Sequence, residues 1–435
     1  MPAVIGIAVL LRVAGALYQG DAVTALPGIF DQVSYDELAR RVAGGHGFSF
    51  AEGHWPATAP GAPTAHWSFL YTAWLAGLYG VIGDHPLVAR LLQAVLAGVL
   101  QTWLAWRVGR RLFGPRVGAL AAAGTAVYAY FVYYAGSLVT EAFYFVAILW
   151  SIDAALRVAA AEGPRPALRA WIELGAAIGI TALLRQVFLV FVPVLAAWIW
   201  WARRGPGIPV RRHRDVAAGL LVTATVAALL ILPWTARNYR AFGRFVLLNT
   251  NAGFALFWGN HPIHGTHFKP LLTADDPTYG ELIPAGLRSL DEAALDRALL
   301  DRAWGFVAAD PWRFAQLSAS RAREYFKFWP SPDSGRASNA ARLASFALFL
   351  PFMIGGLVIA AGRRPSPRPD PSRRGVVLLY AWIVVYTGIH LASWTLIRYR
   401  LPVDAVLVVF AAVAVDAVLR RFAGQAASAP LATAA

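Results

Sequence analysis

Six charged side chains sit where an oily chain has least use for them: Asp31, Glu141, Arg185, Arg237, Arg398 and Arg400. Asp31 opens the stretch Asp31-Gln32-Val33-Ser34-Tyr35-Asp36-Glu37-Leu38-Ala39, in which Tyr35, Leu38, Ala39 and Val42 recur at helical spacing before Gly44-Gly45. That pattern predicts a short helix lying along a membrane surface. Its N-terminal carboxylate reads either as a cap or as a base beside the positive end of the helix dipole. Glu141 stands at the head of another apolar run and has the same two readings. Arginine stays charged and grips phosphate with two parallel donors. Arginines at three separate places near two carboxylates therefore point to an anionic, phosphate-bearing partner, although each alone also reads as a side chain snorkelling to lipid headgroups. The histidines His46, His54, His66, His261, His264 and His267 fall in two loops. Even the run His261-x2-His264-x2-His267 fixes no ligand geometry. His66, next to Trp67, is the best single histidine for a role in a site. With no cysteine in 435 residues, thiolate catalysis, disulfides and cysteine metal sites are absent.

The elements that must position these groups are membrane helices. The chain is 58% hydrophobic and only 14% charged, against about 25% charged in ordinary soluble proteins, and its mean hydropathy is +0.52. Apolar runs at 2–18, 86–106, 117–135, 142–160, 171–184, 187–201, 216–234, 342–362, 375–391 and 402–419 predict ten spans. Two of them, 171–184 and 187–201, form a tight hairpin with Arg185-Gln186 at its tip. The first run lacks a basic flank and a clear cleavage pattern, and it carries Arg12, so it reads as a retained helix.

The net charge of +15 would suit a nucleic-acid binder, but its distribution excludes that. Stretches 107–116, 157–169, 202–215, 362–374 and 420–421 hold 19 arginines and only the acids Glu162, Asp215 and Asp370. If the aromatic segment 67–83 crosses the membrane, residues from 86 onward flip, the N-terminus lies outside, and the positive-inside rule can still be met. The favoured layout has 67–83 lying beside the membrane without crossing, with all five clusters on one side as the rule requires. The N-terminus is then cytoplasmic, 363–374 is a cytoplasmic linker, and two long loops, 19–85 and 235–341, share the outside face. The expected layout is an N-terminal module 1–235 with its first outside loop, an outside loop 236–341 with helical segments around 291–327, and C-terminal helices 342–435.

The order of local motifs resembles that of a known family. Asp31-x3-Tyr35-x2-Leu38-Ala39 is followed by Gly45-x-Gly47-Phe48, Ala89-Arg90-Leu91-Leu92-Gln93-Ala94 and Gly109-Arg110-Arg111-Leu112-Phe113-Gly114-Pro115. Then come Thr140-Glu141, Pro233-Trp234-Thr235-Ala236-Arg237-Asn238-Tyr239, Phe242-Gly243-Arg244-Phe245, Asn249-Thr250-Asn251, Gly259-Asn260 and Arg398-Tyr399-Arg400-Leu401-Pro402. Over nearly its whole length the chain is similar to the GT-C membrane glycosyltransferases, in the branch of protein mannosyltransferases and lipid A aminoarabinose transferases. The resemblance implies an all-α polytopic membrane protein of about ten transmembrane helices with juxtamembrane helices in a long first outside loop. It implies sugar transfer with inversion from a polyprenyl-phosphate donor to a lipid, glycan or protein acceptor at the extracytoplasmic face of the plasma (inner) membrane. Membrane lipids are partners and nucleic acid is not.

By the same resemblance Asp31 is the catalytic base and Glu141 orients a substrate. Arg237, Arg398 and, more weakly, Arg185 hold the donor phosphate, while Tyr35, His66, Asn251, Tyr399 and Arg400 bind substrate. Thr64-Ala65-His66-Trp67-Ser68 stands where relatives carry a Pro-Pro or Pro-Gly-Tyr pattern and some a metal-binding carboxylate. A divalent metal is thus an open option rather than an expected cofactor. The alternative reading is a transporter or flippase of a lipid-linked or amphipathic anion, whose acids would lie near the bilayer midplane.

Overall fold

Without water, backbone N–H and C=O groups must pair within their own segment, and runs of Ala, Leu and Val can do so only as helices. The computed structural model describes residues 1–25, 30–161, 164–203, 211–272, 275–331, 335–362 and 371–428. Its helices are α1 (Pro2–Gln19), α2 (Asp31–Ala43), α3 (Phe69–Ile82), α4 (Pro86–Phe113), α5 (Pro115–Val127), α6 (Ala129–Gly136), α7 (Glu141–Ala160), α8 (Pro164–Leu184) and α9 (Val192–Ala202). They continue with α10 (Arg211–Phe242), α11 (Ala252–Asn260), α12 (Glu292–Ala309), α13 (Pro311–Tyr325), α14 (Arg336–Arg342), α15 (Leu348–Ala361), α16 (Pro371–Ala392) and α17 (Leu401–Ser428).

Among the described residues eight helices are long and apolar enough to cross a membrane, and nine if α5 and α6, bent by 54°, count as one. The remaining expected span, 187–201, is not a single helix. It consists of a 3-10 turn, Gln186–Val190, and the eleven-residue α9, which rises only about 16 Å. Pro193 fits the first turn of α9 but could not continue a helix from upstream. The two pieces still run the length of α7. Arg185 bonds to Thr140 and Glu141 at its start, and Arg203 reaches the carbonyls of Val158 and Ala161 at its end.

Neighbouring helix ends sort the loops. Arg90, in the first turns of α4, bonds to the carbonyls of Gly20 and Ala22 just past α1, so the chain leaves and re-enters the bundle at one end. The segment between them includes the fourteen-residue α3, which packs on α2 and is shorter than the helices long enough to cross a membrane. Asp153 on α7 meets Arg107 at 2.8 Å, Arg157 at 3.0 Å and Arg111 at 3.4 Å at the opposite end. There Asp416 pairs with Arg420, and Arg374 caps the Ala202 carbonyl. Parts of three arginine clusters (162–163, 204–210 and 363–370) lie outside the described residues. The described basic ends nevertheless gather away from the two long loops.

Arg12, buried in α1, has its reason in the α5–α6 break. It donates to the carbonyls of Thr125 and Ala126, which the bend leaves open, and to Gln101. The boundary drawn after residue 235 falls inside α10, which continues through Pro233 to Phe242. Beyond it the second long loop has its own small core of Phe254, Phe257, Trp258, Leu295, Leu299 and Ala303. Helices α11 and α12 cross at Gly253, where a Cβ would fall 1.8 Å from the Asp296 carbonyl oxygen. The helical pattern near 291–327 becomes α12 and α13, each started by an aspartate: Asp291 accepts from the Ala294 amide and Asp310 from the Arg313 amide.

Candidate active site

Asp31 is the first residue of α2, just past the N-cap position that Phe30 holds without a side-chain cap. Its carboxylate meets the Arg398 guanidinium at 2.8 Å. Helix α2 is held in place from its middle. Leu38 and Ala39 are buried, and Asp36 accepts from Tyr79 at 2.5 Å and pairs with Arg40 at 2.9 Å. Glu141 is the first residue of α7 and only 1% exposed. Its Oε1 lies 2.5 Å from Arg185 and 3.9 Å from Arg398. Arg185 also donates to Thr140 at 2.7 Å. Tyr399 lies under both guanidiniums, 5.7 Å from Arg185 and 5.2 Å from Arg398, and stacks on His390 at 4.9 Å.

Two carboxylates and two arginines thus cancel in charge within one cluster where α2, α7, the α8–α9 connection and the start of α17 meet. Burial alone would weaken the charge on Arg185, but Glu141 together with Tyr386 and Tyr399 outweighs it and holds the guanidinium more firmly protonated than usual. Arg398 bridges Asp31 and Glu141, yet its Nε and Nη1 are buried without a hydrogen-bond partner. Unused buried donors on a cation are costly unless something comes to take them. The Asp31 side chain remains 24% exposed, so a substrate can reach the acid.

Tyr35 lines the same helix one turn on. Its hydroxyl accepts from the Ser68 amide at 3.3 Å, and its ring meets Trp67 and Tyr71 edge-on. His66 and Asn251 belong to an adjoining layer. His66 Nδ1 pairs with the Thr250 carbonyl at 2.9 Å. Asn251 accepts from Gln186 at 2.5 Å. Burial pushes the His66 imidazole towards its neutral form, against the pull of Glu292 and Asp31.

Two expected members lie elsewhere. Arg237 donates to the carbonyls of Thr64 at 2.8 Å and Phe48 at 3.1 Å and packs over Trp234 at 4.7 Å, so it braces the first loop. Arg400 is fully buried against Asp404 at 3.1 Å, the Tyr325 carbonyl at 2.7 Å and the Phe346 ring, where substrate cannot reach it.

Residues that sequence reasoning passed over complete the setting. Gln186 orders Asn251 and also accepts from the Asn249 amide at 3.0 Å; its place beside Arg185 at the interrupted hairpin was the available signal. Glu292 fastens the two long loops together through Thr58 at 2.7 Å, the Ala65 amide at 2.8 Å and Thr250 at 2.5 Å. It is one of ten acids in its loop, and nothing in its spacing sets it apart.

A resident divalent metal does not fit these residues. Arg398 already fills the place between Asp31 and Glu141 that a dication would take, and among the described residues no group of three His, Asp or Glu could hold an ion. His264 is engaged by the Trp258 carbonyl at 2.7 Å, and His261 by the Ile263 amide at 3.2 Å.

Residues 68–236 match the family described as Dolichyl-phosphate-mannose-protein mannosyltransferase, a stretch that includes Glu141 and Arg185. The fold is similar to that of the archaeal oligosaccharyltransferase AglB from Archaeoglobus fulgidus, solved in complex with an inhibitory peptide and a dolichol-phosphate. The TM-score is 0.60 at 16% identity, over 98% of this chain and 52% of that one. The apo form of the Archaeoglobus fulgidus oligosaccharyltransferase gives 0.59 at 16% identity over the same shares. ArnT from Cupriavidus metallidurans, bound to undecaprenyl phosphate, aligns over 98% of this chain and 80% of its own, at 14% identity and a TM-score of 0.42. This chain spans about half the length of the oligosaccharyltransferases. Among curated proteins no sequence match is found. The chain thus has the fold of the oligosaccharyltransferases, and its residues 68–236 are similar to the dolichyl-phosphate-mannose-protein mannosyltransferase family.

Proposed function

We propose that this protein is an inverting glycosyltransferase of the plasma (inner) membrane. It moves a sugar from a polyprenyl-phosphate carrier to an acceptor hydroxyl at the extracytoplasmic face. The observation that carries the reading is the Asp31–Arg398–Glu141–Arg185 cluster at the end of the bundle that holds both long loops, opposite the arginine-rich end.

The donor phosphate binds Arg398, whose Nε and Nη1 have no other hydrogen-bond partner, and Arg185. One guanidinium cannot serve phosphate and Asp31 equally, so donor binding loosens the Asp31–Arg398 pair. Asp31 then accepts the proton of the acceptor hydroxyl. The acceptor oxygen forms its bond to the anomeric carbon as the carbon–oxygen bond to phosphate breaks on the opposite side, which inverts the centre. The electron pair leaves with the lipid phosphate, whose growing charge the arginines stabilise. A phosphate leaves readily and needs no acid catalyst. Glu141 keeps Arg185 in place and sets the site close to neutrality before the donor arrives. Arg237 has no part in this set. The transporter reading loses ground because Asp31 and Glu141 begin their helices at the end of the bundle instead of lying midway along a span.

The test is purified protein in lipid nanodiscs, given a panel of polyprenyl-phosphate sugars and followed for acceptor-dependent release of the lipid phosphate. Transfer is expected with at least one donor and is expected to vanish in Asp31→Asn. Undiminished transfer by a folded Asp31→Asn protein would overturn the mechanism.

A further inference from the structure

A cleft of about 520 Å³ opens between the two long loops, walled by Gly53, His54, Trp55 and Thr58 on one side and by Thr278, Tyr279 and Gly280 on the other. Trp55 is 48% exposed, yet it is fixed. It sits on a turn closed by two backbone bonds between His54 and Thr58, each 2.9 Å. Its indole stacks on Trp258 at 5.4 Å and meets the His66 ring edge-on at the same separation. The opposite wall is equally set, since the Tyr279 carbonyl accepts from the Trp258 indole at 3.0 Å. The Trp55 ring is thus packed on Trp258 and still half open to the cleft.

The lining narrows what the cleft can take. None of the described wall residues carries a formal charge, and burial keeps the His54 imidazole neutral, with its pKa pushed down to about 4. A phosphate or an acidic group would find no counter-charge. A lipid chain would find no aliphatic wall, only Pro56 and Ala57. What is present is a flat π face, negative at its centre, which attracts the positive C–H edges of a ring. Around it are glycine-bearing backbone segments whose polar groups can meet hydroxyls. The cleft is also tied to the proposed base. His54 Nε2 pairs with Ser34 at 2.8 Å, and Ser34 lies one helical turn from Asp31 on α2.

We infer that this cleft binds a neutral saccharide, the acceptor, with one ring stacked on Trp55 and a hydroxyl directed along α2 to Asp31. The assignment as acceptor rests on the proposed transfer reaction, but the binding itself does not. It is tested without donor, by saturation-transfer NMR and calorimetry with three probes: mannotriose, chitotriose and a neutral Ser/Thr/Ala heptapeptide. At least one saccharide is expected to bind with its ring C–H protons saturated, to lose about tenfold or more in affinity in Trp55→Ala, and to recover most of it in Trp55→Phe. If Trp55→Ala fails to fold, the ring-proton pattern on the unaltered protein and the Trp55→Phe affinity decide alone. No saccharide binding, equal binding by Trp55→Ala, or binding of the heptapeptide alone would overturn the inference. Saccharide binding without lipid-phosphate release from any donor would sink the transferase reading and leave the cleft assigned.

Discussion

Arg398 and Arg400 stand two residues apart and have opposite fates, because the 3-10 turn that carries them turns about 120° per residue and sends them to different sides. Arg398 faces Asp31 and Glu141, while Arg400 faces Asp404. The residue types of the site were legible in the sequence: two acids and arginines that break the charge pattern. Which arginine points inward was not, since that depends on a local turn and on carbonyls from distant loops. Arg237 fell out for the same reason, taken by Thr64 and Phe48. Arg398→Ala would leave Glu141 and Asp31 without their shared cation. Loss of one partner of a buried pair costs about 3–5 kcal/mol, so a clear drop in thermal midpoint is expected along with lost donor binding. Adding Asp31→Asn should restore part of the stability and none of the activity, which a double-mutant comparison of melting curves will read.

A second residue-scale expectation concerns Asp296. It accepts from the Gly253 and Phe254 amides at the start of α11, but burial dominates and pushes its carboxyl up to about 7. The folded state therefore holds a proton that the unfolded chain releases nearer pH 4. Stability should be fully present below that pH and fall as pH rises towards 7. Asp296→Asn, which keeps the accepting oxygen, should flatten that fall in melting curves taken between pH 4 and pH 8. An unchanged slope would assign the pH dependence to other groups.

At the scale of elements, hydropathy located most membrane helices and failed where a helix is interrupted. The run 187–201 has the composition of a span, but Pro193 and the pull of Glu141 and Thr140 on Arg185 divide it. The α5–α6 bend left no mark in a hydropathy window, although its compensation did, as Arg12 inside an apolar run. Arg12 supplies hydrogen bonds that the Thr125 and Ala126 carbonyls lost at the bend. Arg12→Leu keeps the bulk and removes those donors. Each carbonyl left open in a buried site costs about 1–3 kcal/mol, so the variant should melt earlier or yield less folded protein in detergent, as tryptophan fluorescence and size-exclusion chromatography will measure. Unaltered melting would show that the bend satisfies its carbonyls in another way.

At the scale of the whole molecule, the charge of +15 is unevenly placed. The described arginine clusters gather at one end of the bundle, and the long loops, the Asp31 cluster and the Trp55 cleft gather at the other. This division was readable from charge counting because it depends only on which residues flank each span. How the two loops meet was not readable, because Glu292 joins segments more than 200 residues apart. The native chain has no cysteine, so single introduced thiols report sidedness without background. Gly53→Cys, at the rim of the cleft, should react with a membrane-impermeant maleimide added to intact cells. Arg116→Cys, at the exposed start of α5, should react only after the membrane is opened. The reverse pattern would place the carboxylates and the cleft on the cytoplasmic side, among the arginine clusters, and the proposed reaction could not then occur outside the cell. The same pattern at both positions, labelled without opening the membrane, would mean that the bundle between them does not span.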